Sequence, residues 1–367
     1  MIRSAIPSLL FAASLFGGEV RGVWIARDSL GSRERVRETM QMIAGANLNT
    51  AYVLVWSQGY PLYKSAVFER ETGIRTDPQY GDRDILQEAI DEAKPLGITV
   101  IPWLEYGFVG VWSGRLRGDS LGPIFDKHPD WIARNRAGST RFPIPGGAYY
   151  HWMIHTHPDA QNFLIEMMEE LIANYDVPGV QFDRARYPDL DCGYDEHTKS
   201  LYAAEHDGAQ PPDNPRDAAW VRWRADKLSQ FLVRAGKRLK AANWRTLFTN
   251  APVPTPDGYA SFAQDVPAWV RDASHDFLSP QIYWRDLDTF KSKLELHMRL
   301  YGDSSRLVPG IAVDAAYPQR LVQIIETVRS AGLPGVVIWY HEDLQKSKAY
   351  DLLKATVFSE KAPLPWK

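Results

Sequence analysis

From residue 20 onward, short apolar runs rich in β-branched and aromatic residues alternate with longer amphipathic stretches. A strand buried on both faces of a parallel sheet reads as a continuous apolar run, and the crossover helix after it reads with helical period. The pattern predicts strands over 22–26, 50–56, 98–104, 179–183, 246–250, 277–283, 307–313 and 335–340. Eight such units predict a single-domain α/β protein, a (β/α)8 TIM barrel. Helices are expected over 33–46, 84–94, 158–175 and 217–242. The last of these places Trp220, Trp223, Lys227, Phe231, Ala235 and Leu239 on one mostly apolar stripe. Its Arg222, Arg234, Lys237, Arg238 and Lys240 read as a solvated outer face. Two long insertions, 105–157 after strand 3 and 187–214 after strand 4, follow strand ends, where active-site walls are built.

Composition narrows the class. The chain has 367 residues, 45% of them hydrophobic, ample for a large core. Basic and acidic residues number 42 and 45, for a net charge of −3, so nothing global recruits nucleic acid as a partner. Thirteen Trp and seventeen Tyr suit a site that stacks flat ligand faces such as sugars. Residues 1–17 read as a secretory signal, with Arg3, an apolar stretch and small residues after it. The remainder divides into a barrel over 18–360 and a loose tail over 361–367, and a secreted or periplasmic location is expected. No later apolar run approaches the roughly 20 residues of a spanning helix, so no membrane span is expected in the mature chain. Cys192 stands alone, so the fold needs no disulfide. No phosphate loop, CxxC pair, GxSxG elbow or HExxH helix is present, and no cofactor is expected.

Barrel enzymes keep their chemistry at the C-terminal ends of the strands. The run Gly179-Val180-Gln181-Phe182-Asp183 delivers a carboxylate there, followed by Arg184, Arg186 and Tyr187. Glu105 occupies the matching place one strand earlier, after Ile101-Pro102-Trp103-Leu104. Two acids on one cleft suit acid–base or nucleophilic work at an acetal. A separation of roughly 5 to 5.5 Å suits retention, and one of roughly 6.5 to 9.5 Å suits inversion by water. The adjacent arginine charge is expected to keep Asp183 ionised as nucleophile or stabiliser, leaving the less compensated Glu105 to hold a proton. The plainer alternatives are an Asp183 that pairs with Arg186 to brace a loop, and a Glu105 that only touches substrate hydroxyls.

Other strand ends offer Asn250, Gln281 with Tyr283, Asp314, and His341 with Glu342 as sugar-hydroxyl partners. Asp314 or Glu342 also stands as a substitute second carboxylate. Trp24, Trp56, Trp103, Tyr187, Tyr283, Trp284 and Trp339 supply stacking faces or core packing, and Arg186 joins the substrate-binding candidates. His151, His155 and His157 admit a metal site with Asp159 or Asp183, the donor set of a metal-dependent de-N-acetylase. Pro158 makes that segment read better as coil entering a helix cap, and no metal is expected.

Several segments together resemble the glycosyl-hydrolase-like 10 family of bacterial envelope barrels. They are Arg21-Gly22-Val23-Trp24, His128-Pro129-Asp130-Trp131, His157-Pro158-Asp159-Ala160, the run from Asp176 to Asp183, Arg186-Tyr187-Pro188, Ser279-Pro280-Gln281-Ile282-Tyr283-Trp284, and Gly335-Val336-Val337-Ile338-Trp339. The resemblance implies a (β/α)8 barrel that hydrolyses glycosidic bonds in a cell-wall (peptidoglycan glycan) or extracellular polysaccharide. It implies that Asp183 is the family's strand-four Asp, Glu105 its acidic position after strand three, and Gln281 with Tyr283 its polar–aromatic pair on strand six. The chain departs from the family in having Arg184 where many members carry a second Asp. It also reads Ile154-His155-Thr156-His157 near the place of an Asp-Pro-Gly turn. The first departure keeps a non-catalytic glycan-binding barrel open beside the hydrolase.

Overall fold

The computed structural model describes residues 18–272 and 275–366. Eight parallel strands appear where the apolar runs predict them: β1 (Val20–Ile25), β2 (Thr50–Leu54), β3 (Thr99–Leu104), β4 (Gly179–Phe182), β5 (Leu247–Asn250), β6 (Phe277–Leu278), β7 (Gly310–Ala312) and β8 (Gly335–Trp339). Every residue of β1, β2 and β3 is buried, which explains their unbroken apolar character. The strands pair in the order β6-β5-β4-β3-β2-β1-β8-β7. Parallel bridges from Leu278 to Leu307 and from Gln281 to Gly310 join the two edges, so the sheet curls into a closed TIM barrel.

Helices α1 (Arg33–Gly45), α2 (Ile85–Ala93), α3 (Pro158–Asn174) and α4 (Ala218–Ala242) lie in the predicted crossovers. Asp84 and Asp217 are not their first helical residues but their caps, accepting from Gln87 N–H and from Ala219 and Trp220 N–H. Each such cap is worth about 1 kcal/mol. On α4 the apolar stripe is buried as expected, but so is Arg224. Its guanidinium donates to the carbonyls of Leu190, Cys192 and Pro215 at 2.7, 2.6 and 2.7 Å. Those three acceptors offset the desolvation of the charge and lash the second insertion to the barrel.

The insertions are more ordered than loops. Within 105–157, Val109–Trp112, Tyr149–Trp152 and Phe142–Pro143 form an antiparallel three-stranded sheet. The insertion 187–214 carries the helix Glu196–Glu205. The tail, expected to be loose, is instead docked against the N-terminal end of the barrel as far as Trp366. Pro363 O accepts from Glu19 N–H at 2.8 Å, Ala362 O accepts from Asn49 Nδ2 at 3.1 Å, and Trp366 stacks on Phe277 at 5.3 Å. The expected signal segment, 1–17, lies outside the described residues. Among the described residues no helix is long and apolar enough to cross a membrane.

Candidate active site

Asp183 is the residue after β4, and it is 6% exposed at the mouth of the barrel. Trp103 of β3 donates its indole N–H to Oδ2 at 3.2 Å, and the Arg184 backbone N–H donates to Oδ1 at 2.5 Å. Gln281, past β6, reaches Oδ1 and Oδ2 at 3.5 and 3.4 Å, and is itself steadied on Ala251 O at 3.1 Å. The carboxylate is therefore gripped by uncharged donors from three strands. Burial pushes its pKa up to about 6, and the charges of Arg184 and Arg186 offset this only in part.

Arg184 serves the neighbouring acid. Its φ of +46° lies in the left-handed region that residues with a side chain avoid. Its guanidinium donates from Nη2 to Glu105 Oε1 at 3.0 Å. The expected partner is thus exchanged, because the guanidinium pairs with Glu105 while Asp183 is held by neutral N–H groups. Arg184 lies over the rings of Tyr106 and Tyr150, at 4.7 and 5.2 Å. Glu105 keeps 18% of its side chain exposed. Burial raises its pKa, and Arg184 opposes that rise without cancelling it.

The turn that carries Glu105 is pressed against Asp183. Asp183 N–H donates to Leu104 O at 3.2 Å, and a Cβ on Gly107 would collide with the Asp183 carbonyl oxygen. Gly107 also has φ +46°, so glycine is required there on both counts. Trp56 fixes the turn from behind, donating its indole N–H to Gly107 O at 3.1 Å. Its ring is buried between Phe68 and Phe163, away from the mouth.

Below the acids lies an aromatic floor centred on buried Trp24. Its ring meets Tyr52, Trp103, Tyr283 and Trp339 at 5.9, 6.2, 6.5 and 6.0 Å. The indole N–H of Trp24 donates to buried Gln181 Oε1 at 2.7 Å. Tyr283 and Trp339 are only half-buried and stack on each other at 5.9 Å, so theirs are the floor rings open to a ligand. Trp284 is half-buried under Lys293, at 4.8 Å.

The remaining candidates are dispersed. Asn250, at the end of β5, is fully buried, and neither atom of its amide is hydrogen-bonded by the protein. Asp314 pairs with Arg320 at 2.9 Å and accepts from Ala316 N–H at 3.1 Å. His341 turns to Tyr350 Oη at 2.7 Å, and Glu342 accepts from Ser29 Oγ at 2.6 Å. Both line a separate cavity of about 350 Å³ with Asp28, Thr39 and Met42. Tyr187 is buried face to face with His155, 4.0 Å away.

The three imidazoles do not converge. His151 Nδ1 meets Thr140 O, His155 Nε2 meets Arg186 O, and His157 accepts from Asp159 N–H at the start of α3. Burial pushes His155 down to about 3, so it stays neutral. Among the described residues no group of three His, Cys, Asp or Glu side chains is placed to hold a metal ion. The donor set of a metal-dependent de-N-acetylase is not assembled by these histidines.

A closed parallel barrel with polar side chains at the C-terminal ends of its strands is the (β/α)8 architecture, which hosts many different chemistries. The chain belongs to the Glycosyl hydrolase-like 10 family, which it matches over residues 19–308. It is 25% identical over 298 residues to glycosyl hydrolase YngK of Bacillus subtilis, a match covering 72% of this chain and 54% of that one. It is 24% identical over 313 residues to glycosyl hydrolase DigH of Escherichia coli, covering 72% and 65%. The chain thus spans between about half and two thirds of these relatives. Among solved structures, the glycoside hydrolase domain of PgaB (BpsB) from Bordetella bronchiseptica superposes with a TM-score of 0.67 at 12% identity, over 92% of this chain and 98% of that one. The catalytic domain of a Paenibacillus polymyxa β-amylase does so with a TM-score of 0.63 at 12% identity, over 93% and 98%. At such identities the likeness is one of fold.

Proposed function

We propose that the protein is a glycoside hydrolase acting outside the cytoplasm on a cell-wall (peptidoglycan glycan) or extracellular polysaccharide, with Asp183 and Glu105 as its working acids. One observation carries the reading. Arg184 binds both acids, Asp183 through its backbone N–H and Glu105 through its guanidinium, so a buried and a half-buried carboxylate at neighbouring strand ends are held as a unit. Asp183, whose burial raises its pKa to about 6 and which is held by three neutral donors, delivers the proton to the leaving oxygen. Glu105, whose carboxylate is paired with the Arg184 guanidinium at 3.0 Å, supplies the negative charge that stabilises an oxocarbenium-like centre, the reverse of the role expected from the sequence. The signal-like 1–17 segment and the family membership support an extracytoplasmic substrate, and Tyr283 with Trp339 offers it a stacking face.

The test is release of reducing ends from peptidoglycan and from neutral polysaccharides. Asp183→Asn and Glu105→Gln are expected to abolish release by the folded protein, and near-normal turnover by either overturns that residue's role. The ion pair that occupies Glu105 favours one other reading, a barrel that binds glycan without cutting it. Glycan binding by the wild type with no new reducing ends would establish that instead.

A further inference from the structure

We propose that Arg186 is an anion-recognition residue, and that the sugar unit seated beside Asp183 carries a carboxylate. The proposal rests on the glycan reading above and goes further by naming the chemistry of the substrate. A guanidinium partly withdrawn from water, as the half-buried Arg186 is, gains from acceptors that replace the lost hydration. Among the described residues, every other arginine that is partly or fully buried donates to a protein oxygen. The series runs from Arg27 on Asp77 at 2.9 Å to Arg224 on its three carbonyls. Arg186 is the exception. Its guanidinium lies over the face of Phe262, 4.8 Å from the ring centroid, an arrangement that covers one face of the fork and leaves its N–H edges for a ligand.

The backbone that carries this side chain is fixed. Arg186 O is hydrogen-bonded to His155 Nε2 at 2.9 Å, Ala185 O accepts from Gln264 Nε2 at 2.9 Å, and Tyr187 N–H donates to Phe262 O at 3.1 Å. A preorganised donor loses little entropy when it binds. Arg184, two residues earlier, is committed to Glu105 and cannot share its charge. Burial and the Arg184 charge lower the Arg186 pKa to about 10, with Asp183 opposing, so Arg186 remains cationic at neutral pH. A carboxylate matches the guanidinium fork in a planar, two-point pair. A single negative charge also suits one guanidinium beside an ionisable Asp183 better than a phosphate dianion does. Saccharides of this chemistry are uronates and lactyl ethers.

The experiment measures binding to the whole chain by titration with two matched pairs of probes. N-acetylmuramic acid and N-acetylglucosamine share a ring and differ in a lactyl carboxylate, and glucuronic acid and glucose differ in a ring carboxylate. The wild type is expected to prefer the acidic member of at least one pair by about tenfold to a hundredfold. Arg186→Gln is expected to remove that preference and leave the affinity for the neutral sugar within about twofold. Arg186→Lys, the more conservative change, keeps part of the preference and serves as the test if the glutamine variant does not fold. Wild-type binding of neutral and acidic members alike overturns the inference and leaves the glycan reading standing. Equal loss of both members in Arg186→Gln also overturns it, because Arg186 would then act only through the fold or through Asp183. Binding of none of the four sugars overturns this inference and the glycan reading together.

Discussion

Asp183→Asn removes a buried negative charge at nearly constant shape, and its effect on stability can be worked out as a function of pH. The Asp183 pKa is about 6, against an ordinary 3.8. One pKa unit corresponds to about 1.4 kcal/mol, so keeping this group ionised inside the fold costs about 3 kcal/mol once the pH exceeds 6. The folded chain holds this proton more tightly than the unfolded chain does. The stability it contributes is therefore fully present below about pH 3.8 and is lost as the pH rises through 6. The variant has no such titration, so its stability relative to wild type is expected to rise by about 2 to 3 kcal/mol between pH 4 and pH 7.5. A second effect runs against the variant. An amide offers one oxygen where the carboxylate offers two, so Trp103 or the Arg184 N–H loses an acceptor, at about 1 to 3 kcal/mol. That cost does not depend on pH and cancels from the difference between the two pH values. For a chain of this length the change amounts to about 4 °C in the relative melting temperature. Calorimetric melts of both proteins at pH 4, 5, 6 and 7.5 read it directly. A gap between variant and wild type that stays constant to about 1 °C over that range refutes the claim that burial sets the Asp183 pKa.

Three further substitutions probe the supports of the site. Gly107→Ala places a methyl group against the Asp183 carbonyl at a positive φ, and loss of activity with at least about 3 kcal/mol of destabilisation is expected in urea melts; a stable, active variant removes the close approach from the account. Trp24→Phe withdraws the indole N–H from buried Gln181 Oε1 and thins the aromatic floor, for an expected loss of about 2 to 3 kcal/mol; a change below about 0.5 kcal/mol shows that this hydrogen bond is idle. Tyr317, 57% exposed after β7 and braced by Arg320 at 4.4 Å, presents a fixed ring to solvent. Tyr317→Ala is expected to leave the melting temperature within about 1 °C and to weaken binding of long oligosaccharides about fivefold more than that of a disaccharide; equal effects on both rule out a role in an extended cleft.

The barrel was legible because its evidence is repetitive. Eight apolar runs at the spacing of strand and crossover helix admit few other folds, and strand ends identify themselves where apolar runs meet polar residues, as at Asp183 and Glu105. What escaped sequence reading depends on direction. Residues separated by a turn point where the backbone φ sends them, and nothing local to Arg184 announces +46°. Tyr150 reaches the Arg184 guanidinium from strands of two to four residues inside an insertion, too short for periodicity to register. Trp56 and Trp103 look alike in sequence, each beside a strand end. One is walled in by Phe68 and Phe163, and the other donates to a carboxylate. The glycine after Glu105-Tyr106 was the available signal that this turn meets another backbone closely.

The same geometry explains why the site uses its cations as it does. A guanidinium against Asp183 would lower the carboxyl by roughly 1 to 3 pKa units, returning it to the range of an ordinary surface aspartate and leaving it indifferent to protons near neutrality. Neutral donors position the carboxylate while burial sets its proton affinity, and for that reason Trp103, Gln281 and the Arg184 N–H suit Asp183 better than an arginine side chain would. The two guanidiniums that follow β4 are then free for other anions. Arg184 takes Glu105, and Arg186 finds no acceptor within the described protein. A chain that keeps two arginines so close to a buried acid, and gives it a hydrogen bond from neither guanidinium, has the mouth that the proposed anionic ligand requires.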